Sequence, residues 1–87
     1  MGTNMKKDVV VGMQSGLEAR PIALMVQTAN QYSSQIYLET EGKRVNVKSI
    51  MGMMSLALLS GEHVVLDVEG ADEEAAVAAL EKFLAED

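Results

Sequence analysis

The segment Gly42-Lys43-Arg44-Val45-Asn46-Val47-Lys48-Ser49-Ile50-Met51-Gly52-Met53-Met54-Ser55-Leu56 changes secondary-structure period in its middle. Glu41-Gly42 marks a turn, and residues 43–47 read as a short strand. Ser49 then stands as a helix N-cap in front of an apolar run over residues 50–59. Upstream, Ile36 and Leu38 alternate with polar neighbours as a strand, so a hairpin leads into this helix. Downstream, Gly61 closes the helix and residues 63–68 alternate as another strand. Gly70-Ala71-Asp72 leads into a last helix, with Glu73 and Glu74 favourable to the macrodipole in its first turn. Its apolar stripe is Ala76, Val77, Leu80, Phe83 and Leu84.

Toward the N-terminus, Pro21 suits the first turn of a helix, where its missing N–H costs nothing. Ile22, Met25, Val26 and Ala29 recur at helical spacing, and the helix is expected to end near Asn30. Residues 5–13 alternate weakly, are rich in Val, and read as the first strand. The order is strand, helix, strand, strand, helix, strand, helix. Four strands and three helices in so short a chain predict an α+β domain, an antiparallel or mixed sheet with helices covering one face.

The chain has 87 residues, enough for one domain with one modest core. Hydrophobic residues make up 48% but aromatics only 3%, so the core is aliphatic and draws on seven Met, a soft and adaptable packing material. No cysteine is present, which excludes disulfides, thiolate metal sites and cysteine nucleophiles and fits a reducing cytoplasm. The longest apolar run, residues 50–59, is about half of what a membrane span needs. The start of the chain, with Met5-Lys6-Lys7-Asp8, does not resemble a signal peptide, and the protein is expected to be soluble and cytoplasmic. Residues 1–4 read as an N-terminal extension, disordered or an alternative start, ahead of a domain over residues 5–87. The net charge of −6 divides into +2 over residues 1–61 and −8 over residues 62–87. So acidic a chain argues against direct nucleic-acid binding, which relies on Lys and Arg at phosphates.

A second segment, Ser15-Gly16-Leu17-Glu18-Ala19-Arg20-Pro21, completes the reading. With residues 42–56 it resembles the two phosphorylation motifs of the HPr family of phosphocarrier proteins of the sugar phosphotransferase system, over about residues 5–86. Gly16, Leu17, Ala19, Arg20 and Pro21 match the first motif, but Glu18 stands where the carrier histidine belongs. The resemblance implies an HPr-like open-faced sandwich of order βαββαβα, a four-stranded antiparallel sheet with three helices on one face.

Glu18 offers a carboxylate instead of an imidazole nitrogen, a poorer nucleophile for a phosphate relay. It can complement the helix dipole and pair with Arg20, worth about 0.3–1 kcal/mol if exposed. It can also imitate a phosphorylated histidine, or keep phosphotransferase enzymes from using the protein. The single histidine, His63, has no partner constellation and is expected at the surface or at a sheet edge.

The second motif is intact. In HPr-like proteins of this kind the serine at the position of Ser49 is phosphorylated by an HPr kinase/phosphorylase, and the product is a corepressor of a catabolite control transcription factor. The resemblance implies that role here, with Arg20 and Lys48 as phosphate or partner contacts and Ala19, Ile22, Ile50, Met51 and Met54 as the partner surface. The chemistry agrees, because phosphorylation adds roughly −1.5 to −2 charges at a helix start. Lys43, Arg44 and Lys48 just precede Ser49 and form a basic approach to it. As an N-cap alone, Ser49 contributes about 1 kcal/mol. The helix over 50–59 is apolar nearly all round, so part of it is expected to stay exposed, while Met53 and Leu56 are expected in the core.

The leading expectation is a regulatory HPr-like protein of carbon catabolite repression, without catalysis, cofactor or metal and without membrane contact. The alternatives are a phosphocarrier altered at Glu18 by drift or engineering, and an HPr-fold binding module that is not phosphorylated. A homodimer formed by exchange of the Val-rich first strand is compatible with the sequence, which does not require it.

Overall fold

A computed structural model of the chain describes residues 4–12, 19–56 and 61–85; the side chains of Asn4, Ala19, Arg20 and Pro21 lie outside the description. The elements are β1 (Asn4–Val10), α1 (Ala19–Ala29), β2 (Gln35–Thr40), β3 (Lys43–Asn46), α2 (Ile50–Met54), β4 (His63–Glu69) and α3 (Glu73–Ala85). The strands form one antiparallel sheet in the order β1-β4-β2-β3. This is the expected βαββαβα order, with three helices against one face.

Alternation decides which face is covered. Val9, Ile36, Leu38, Val64, Leu66 and Val68 are buried against Met25 of α1, Met53 of α2 and Leu80 and Leu84 of α3. Their sequence neighbours Asp8, Tyr37, Glu39, Val65 and Asp67 point to the other, open face. Asp67 is nevertheless only 5% exposed, because Arg44 lies over it. The Arg44 guanidinium donates to Asp67 at 2.7 Å, pairs with Glu39, and sits 4.2 Å from the centroid of the Tyr37 ring. The Asp67 contact above all raises the Arg44 pKa.

Turn chemistry sets the register. Glu41 and Gly42 both have positive φ, 47° and 78°, as a two-residue hairpin of mirror-image hand requires. Thr40 therefore pairs with Lys43 and Glu39 with Arg44. Between α1 and α3 a second device closes the fold. Asp72, whose carbonyl accepts the Ala76 amide at the start of α3, aims its carboxylate at the connector after α1. It accepts from the Ser33 amide at 2.8 Å, the Ser34 amide at 3.0 Å, and both serine hydroxyls. The Ser34 hydroxyl and the Ser33 amide hold this carboxyl at a pKa of about 2. Gly70 packs on the same connector, and a Cβ there would lie 2.6 Å from the Ser34 Cα.

Two elements are shorter than their hydrophobic patterns. The first strand, expected over 5–13, begins at Asn4 and ends at Val10, because the chain then docks on the C-terminal end of α3. The Gly12 amide donates to the Leu84 carbonyl at 2.9 Å, and a side chain at Gly12 would collide with the Ala85 carbonyl. The helix expected over 50–59 is described as Ile50–Met54. Ser55 and Leu56 make tighter bonds, to the carbonyls of Gly52 at 3.2 Å and Met53 at 3.1 Å, and the Ser55 hydroxyl also takes the Gly52 carbonyl at 2.6 Å. Residues 57–60 lie outside the described residues; α2 as described is capped by Ser55, and Gly61, expected to close the helix, has a positive φ of 92° and donates its amide to the Val11 carbonyl at 2.7 Å. Among those described, no helix is long and apolar enough to cross a membrane.

Candidate functional site

Ser49 is built into a short rigid approach between β3 and α2. The Asn46 side-chain carbonyl accepts the Lys48 amide at 2.8 Å, an Asx-turn, and the Asn46 main-chain carbonyl accepts the Ser49 amide at 3.0 Å. Val47 is fully buried and its amide donates to Ile36 at 3.0 Å, which ties the approach to the sheet. Ser49 is therefore delivered in an extended conformation, φ −105° and ψ 115°, at the N-cap of α2. Its Oγ accepts the Gly52 amide at 3.2 Å, and its carbonyl accepts the Met53 amide at 3.0 Å. Ser49 is exposed. Accepting one bond leaves the hydroxyl with its hydrogen and a second lone pair, so the cap and a phosphate acceptor are the same oxygen without conflict.

Beyond Ser49 the helix splits sharply by burial. Met53 has no exposure and Leu56 is 6% exposed, as expected of core anchors. Met51 is 82% and Met54 56% exposed, and Ile50 is half-exposed with them. An apolar face thus lies immediately beside the serine. Ile22, expected on that face, is instead a core residue of α1, only 3% exposed. Its place in the stripe with Met25 and Ala29 turns it inward. Glu18 lies outside the described residues, and so do the side chains of Ala19 and Arg20, whose backbones begin α1.

The basic approach expected in front of Ser49 is dispersed. Arg44 belongs to the open-face cluster with Asp67, Glu39 and Tyr37, and exposed Lys43 sits at the far end of β3, against the hairpin turn. Only Lys48 adjoins the serine in the chain, and its ammonium donates to the Tyr32 carbonyl at 2.6 Å, just past the end of α1. Asn30 reinforces that contact from the other side, with its amide nitrogen bonded to the carbonyls of Val26 at 2.8 Å and Lys48 at 3.4 Å. Asn30, Tyr32 and Asn46 thus position the serine loop. The spacing of Asn46 two residues before Lys48 was a readable signal for the Asx-turn; the pairing of Lys48 with Tyr32 is long-range and left none.

His63 is exposed as expected, but it opens β4, an interior strand and not an edge. A cavity of about 470 Å³ lies beside it, walled by Glu39, Arg44 and the hairpin turn, and no residue of the Ser49 loop lines it. Among the described residues, no group of three His, Asp or Glu side chains is placed to hold a metal ion.

Comparison with known proteins identifies the fold and the family. The family described as the PTS HPr component phosphorylation site matches residues 5–86. The HPr-like protein Crh of Halalkalibacterium halodurans is 52% identical over 79 residues, covering 91% of this chain and 94% of that protein. The crystal structure of phosphocarrier protein HPr from Bacillus anthracis superposes with a TM-score of 0.90 at 46% identity, covering 93% of this chain and 96% of that one. The crystal structure of Bacillus subtilis Crh, an intertwined dimer with a swapped domain, gives a TM-score of 0.77 at 48% identity, covering 91% of each chain. With a family match across nearly its whole length and relatives near half identity, the chain belongs to the HPr family of the phosphotransferase system, whose members are phosphocarrier or regulatory proteins and not enzymes.

Proposed function

We propose that this protein is a regulator of carbon catabolite repression, phosphorylated on Ser49 by an HPr kinase/phosphorylase and then acting as corepressor of a catabolite control transcription factor. The observation that carries the reading is the exposed Ser49 hydroxyl with the bare apolar surface of Ile50, Met51 and Met54 beside it. In the kinase, the Ser49 oxygen attacks the γ-phosphorus of ATP, the bond to ADP breaks, and the hydroxyl proton passes to a base of the kinase. The product carries roughly −1.5 to −2 charges next to an apolar face, a composite surface that the unmodified protein lacks.

Arg20 is the family-implied phosphate contact. Lys48 becomes a second contact only by leaving the Tyr32 carbonyl, so in the unmodified protein it serves the loop. Ala19 extends the partner surface from the start of α1. The similarity to Crh supports the catabolite-repression branch, and the dimer known for that protein supports a homodimer by strand exchange here. The protein is assigned to the cytoplasm with its family.

The deciding experiment is a titration of Ser49-phosphorylated and unmodified protein against the transcription factor. Tighter binding of the phosphorylated form is expected, and equal affinities would overturn the switch. In parallel, enzyme I with phosphoenolpyruvate is expected to leave the protein unlabelled, whereas hydroxylamine-sensitive label on Glu18 would make it a carrier. Kinase with ATP is expected to label the wild type and not Ser49→Ala.

A further inference from the structure

The described methionines divide into two chemical populations. Met25 and Met53 have no solvent exposure, and Met5 is half-buried. Met51 and Met54, by contrast, are 82% and 56% exposed on one short helix, two and five residues beyond Ser49. Their side chains are open to solvent, and the chain contains no cysteine thiol to react first.

From this contrast we infer that Met51 and Met54 form a peroxide-sensitive modification site that turns off phosphoserine-dependent docking through α2. The inference rests on the reading of α2 as the docking surface. In the reaction a thioether lone pair attacks one oxygen of hydrogen peroxide, the O–O bond breaks, and a sulfur–oxygen bond forms. The sulfur is oxidised by two electrons, and the other peroxide oxygen, reduced, takes up the proton and leaves as water. No metal or second protein group takes part.

The consequence follows from what the face must do. A thioether is apolar and adapts its three torsions to a partner, whereas a sulfoxide is strongly polar and must be desolvated when the face is covered. Because Met51 bears little on the core, its oxidation leaves the fold intact. The same change at Met53 or Met25 would place a polar group in the interior and unfold the domain. Oxidation at Met51 and Met54 is also uncharged, so it leaves the phosphate and its electrostatics unaltered and acts on the apolar half of the surface alone.

The test treats Ser49-phosphorylated full-length protein with hydrogen peroxide, maps oxygen addition by peptide mass spectrometry, and titrates the product against the transcription factor. Met51 is expected to oxidise first and Met54 next, with Met25 and Met53 unmodified. Affinity is expected to fall at least about tenfold while Tm moves by less than about 2 °C. The double variant Met51→Leu with Met54→Leu, compared with itself before and after peroxide, is expected to show no change. Full oxidation of Met51 and Met54 with unchanged affinity would overturn the inference, as would an equal peroxide-induced loss in the double variant or a loss that tracks Met53 oxidation and a fall in Tm. Untreated phosphorylated and unphosphorylated samples run alongside. Equal binding by those two removes the docking reading itself, and this inference with it, whereas a difference that survives oxidation removes this inference alone.

Discussion

Met51→Ala and Met53→Ala, two residues apart on α2, are expected to have opposite effects. Met53 is fully buried in the core cluster, and its truncation to alanine deletes three side-chain heavy atoms from a packed site. Removal of a buried methionine costs about 2–5 kcal/mol, depending on how far the cavity collapses. For a domain of 87 residues that is a large part of a total of about 4–13 kcal/mol, and Tm is expected to fall by about 10 °C or more. A competing route limits the loss. With five residues α2 is too short to persist alone, so weakening its anchor lets it lift off the domain before the sheet melts. Amide exchange distinguishes the routes: the Gly52 and Met53 amides, bonded to Ser49, are expected to lose protection ahead of the Val47 amide bonded to β2. Met51→Ala touches almost no core and is expected to stay within about 0.5 kcal/mol of the wild type, while docking of the phosphorylated protein weakens by about 1–2 kcal/mol. Urea and thermal unfolding followed by circular dichroism, with the binding titration, give both numbers. If Met51→Ala destabilised as much as Met53→Ala, the division of α2 into an anchor and a presented face would be wrong.

Three further outcomes test the supports of the site. Gly70→Ala drives a Cβ to 2.6 Å from the Ser34 Cα at a φ of 154° and is expected to cost about 1–3 kcal/mol, read as a lower urea midpoint with an unchanged m-value. Glu41→Asn relieves the strain of a φ of 47° in the hairpin turn and is expected to add up to about 1 kcal/mol; a loss of stability would argue against the mirror-image turn. The Asp72 carboxyl has a folded pKa of about 2 against an ordinary 3.8, so its contribution is complete above 3.8 and is lost as pH falls through 2. Acid titration of unfolding is expected to show that loss in the wild type and a shallower decline between those values in Asp72→Asn; equal slopes would refute the clasp.

All seven elements were legible in the sequence, because each is announced by local chemistry: Pro21 in a first turn, Ser49 as a cap, Glu41-Gly42 as a two-residue turn, Glu73 and Glu74 at a helix start. What escaped depends on contacts between distant segments. The first strand stops at Val10 because the chain must approach the end of α3 through Gly12, and no pattern within residues 5–13 records that. The shortening of α2 was nearer to hand, since Ser55 can compete for the Gly52 carbonyl, but a continuous apolar run concealed it.

Helical spacing places Ile22 in the buried stripe, the family resemblance implies it on the partner surface, and the fold follows the spacing. The three basic residues before Ser49 make the same point from the opposite side. Closeness in the chain suggests a basic approach to Ser49, yet a two-residue turn forces Arg44 opposite Glu39, and the pleat then carries it to the open face above Asp67. The hairpin register alone thus turns Arg44 away from Ser49. Lys48 remains, but its ammonium is committed to the Tyr32 carbonyl in the connector past the end of α1. The unmodified serine therefore stands beside an apolar face with its nearest cation in the chain turned away. On the proposed reading it is the added phosphate, with Arg20 and the partner, that must complete the charge complementarity, which makes the switch depend on the modification and not on a preformed basic cluster.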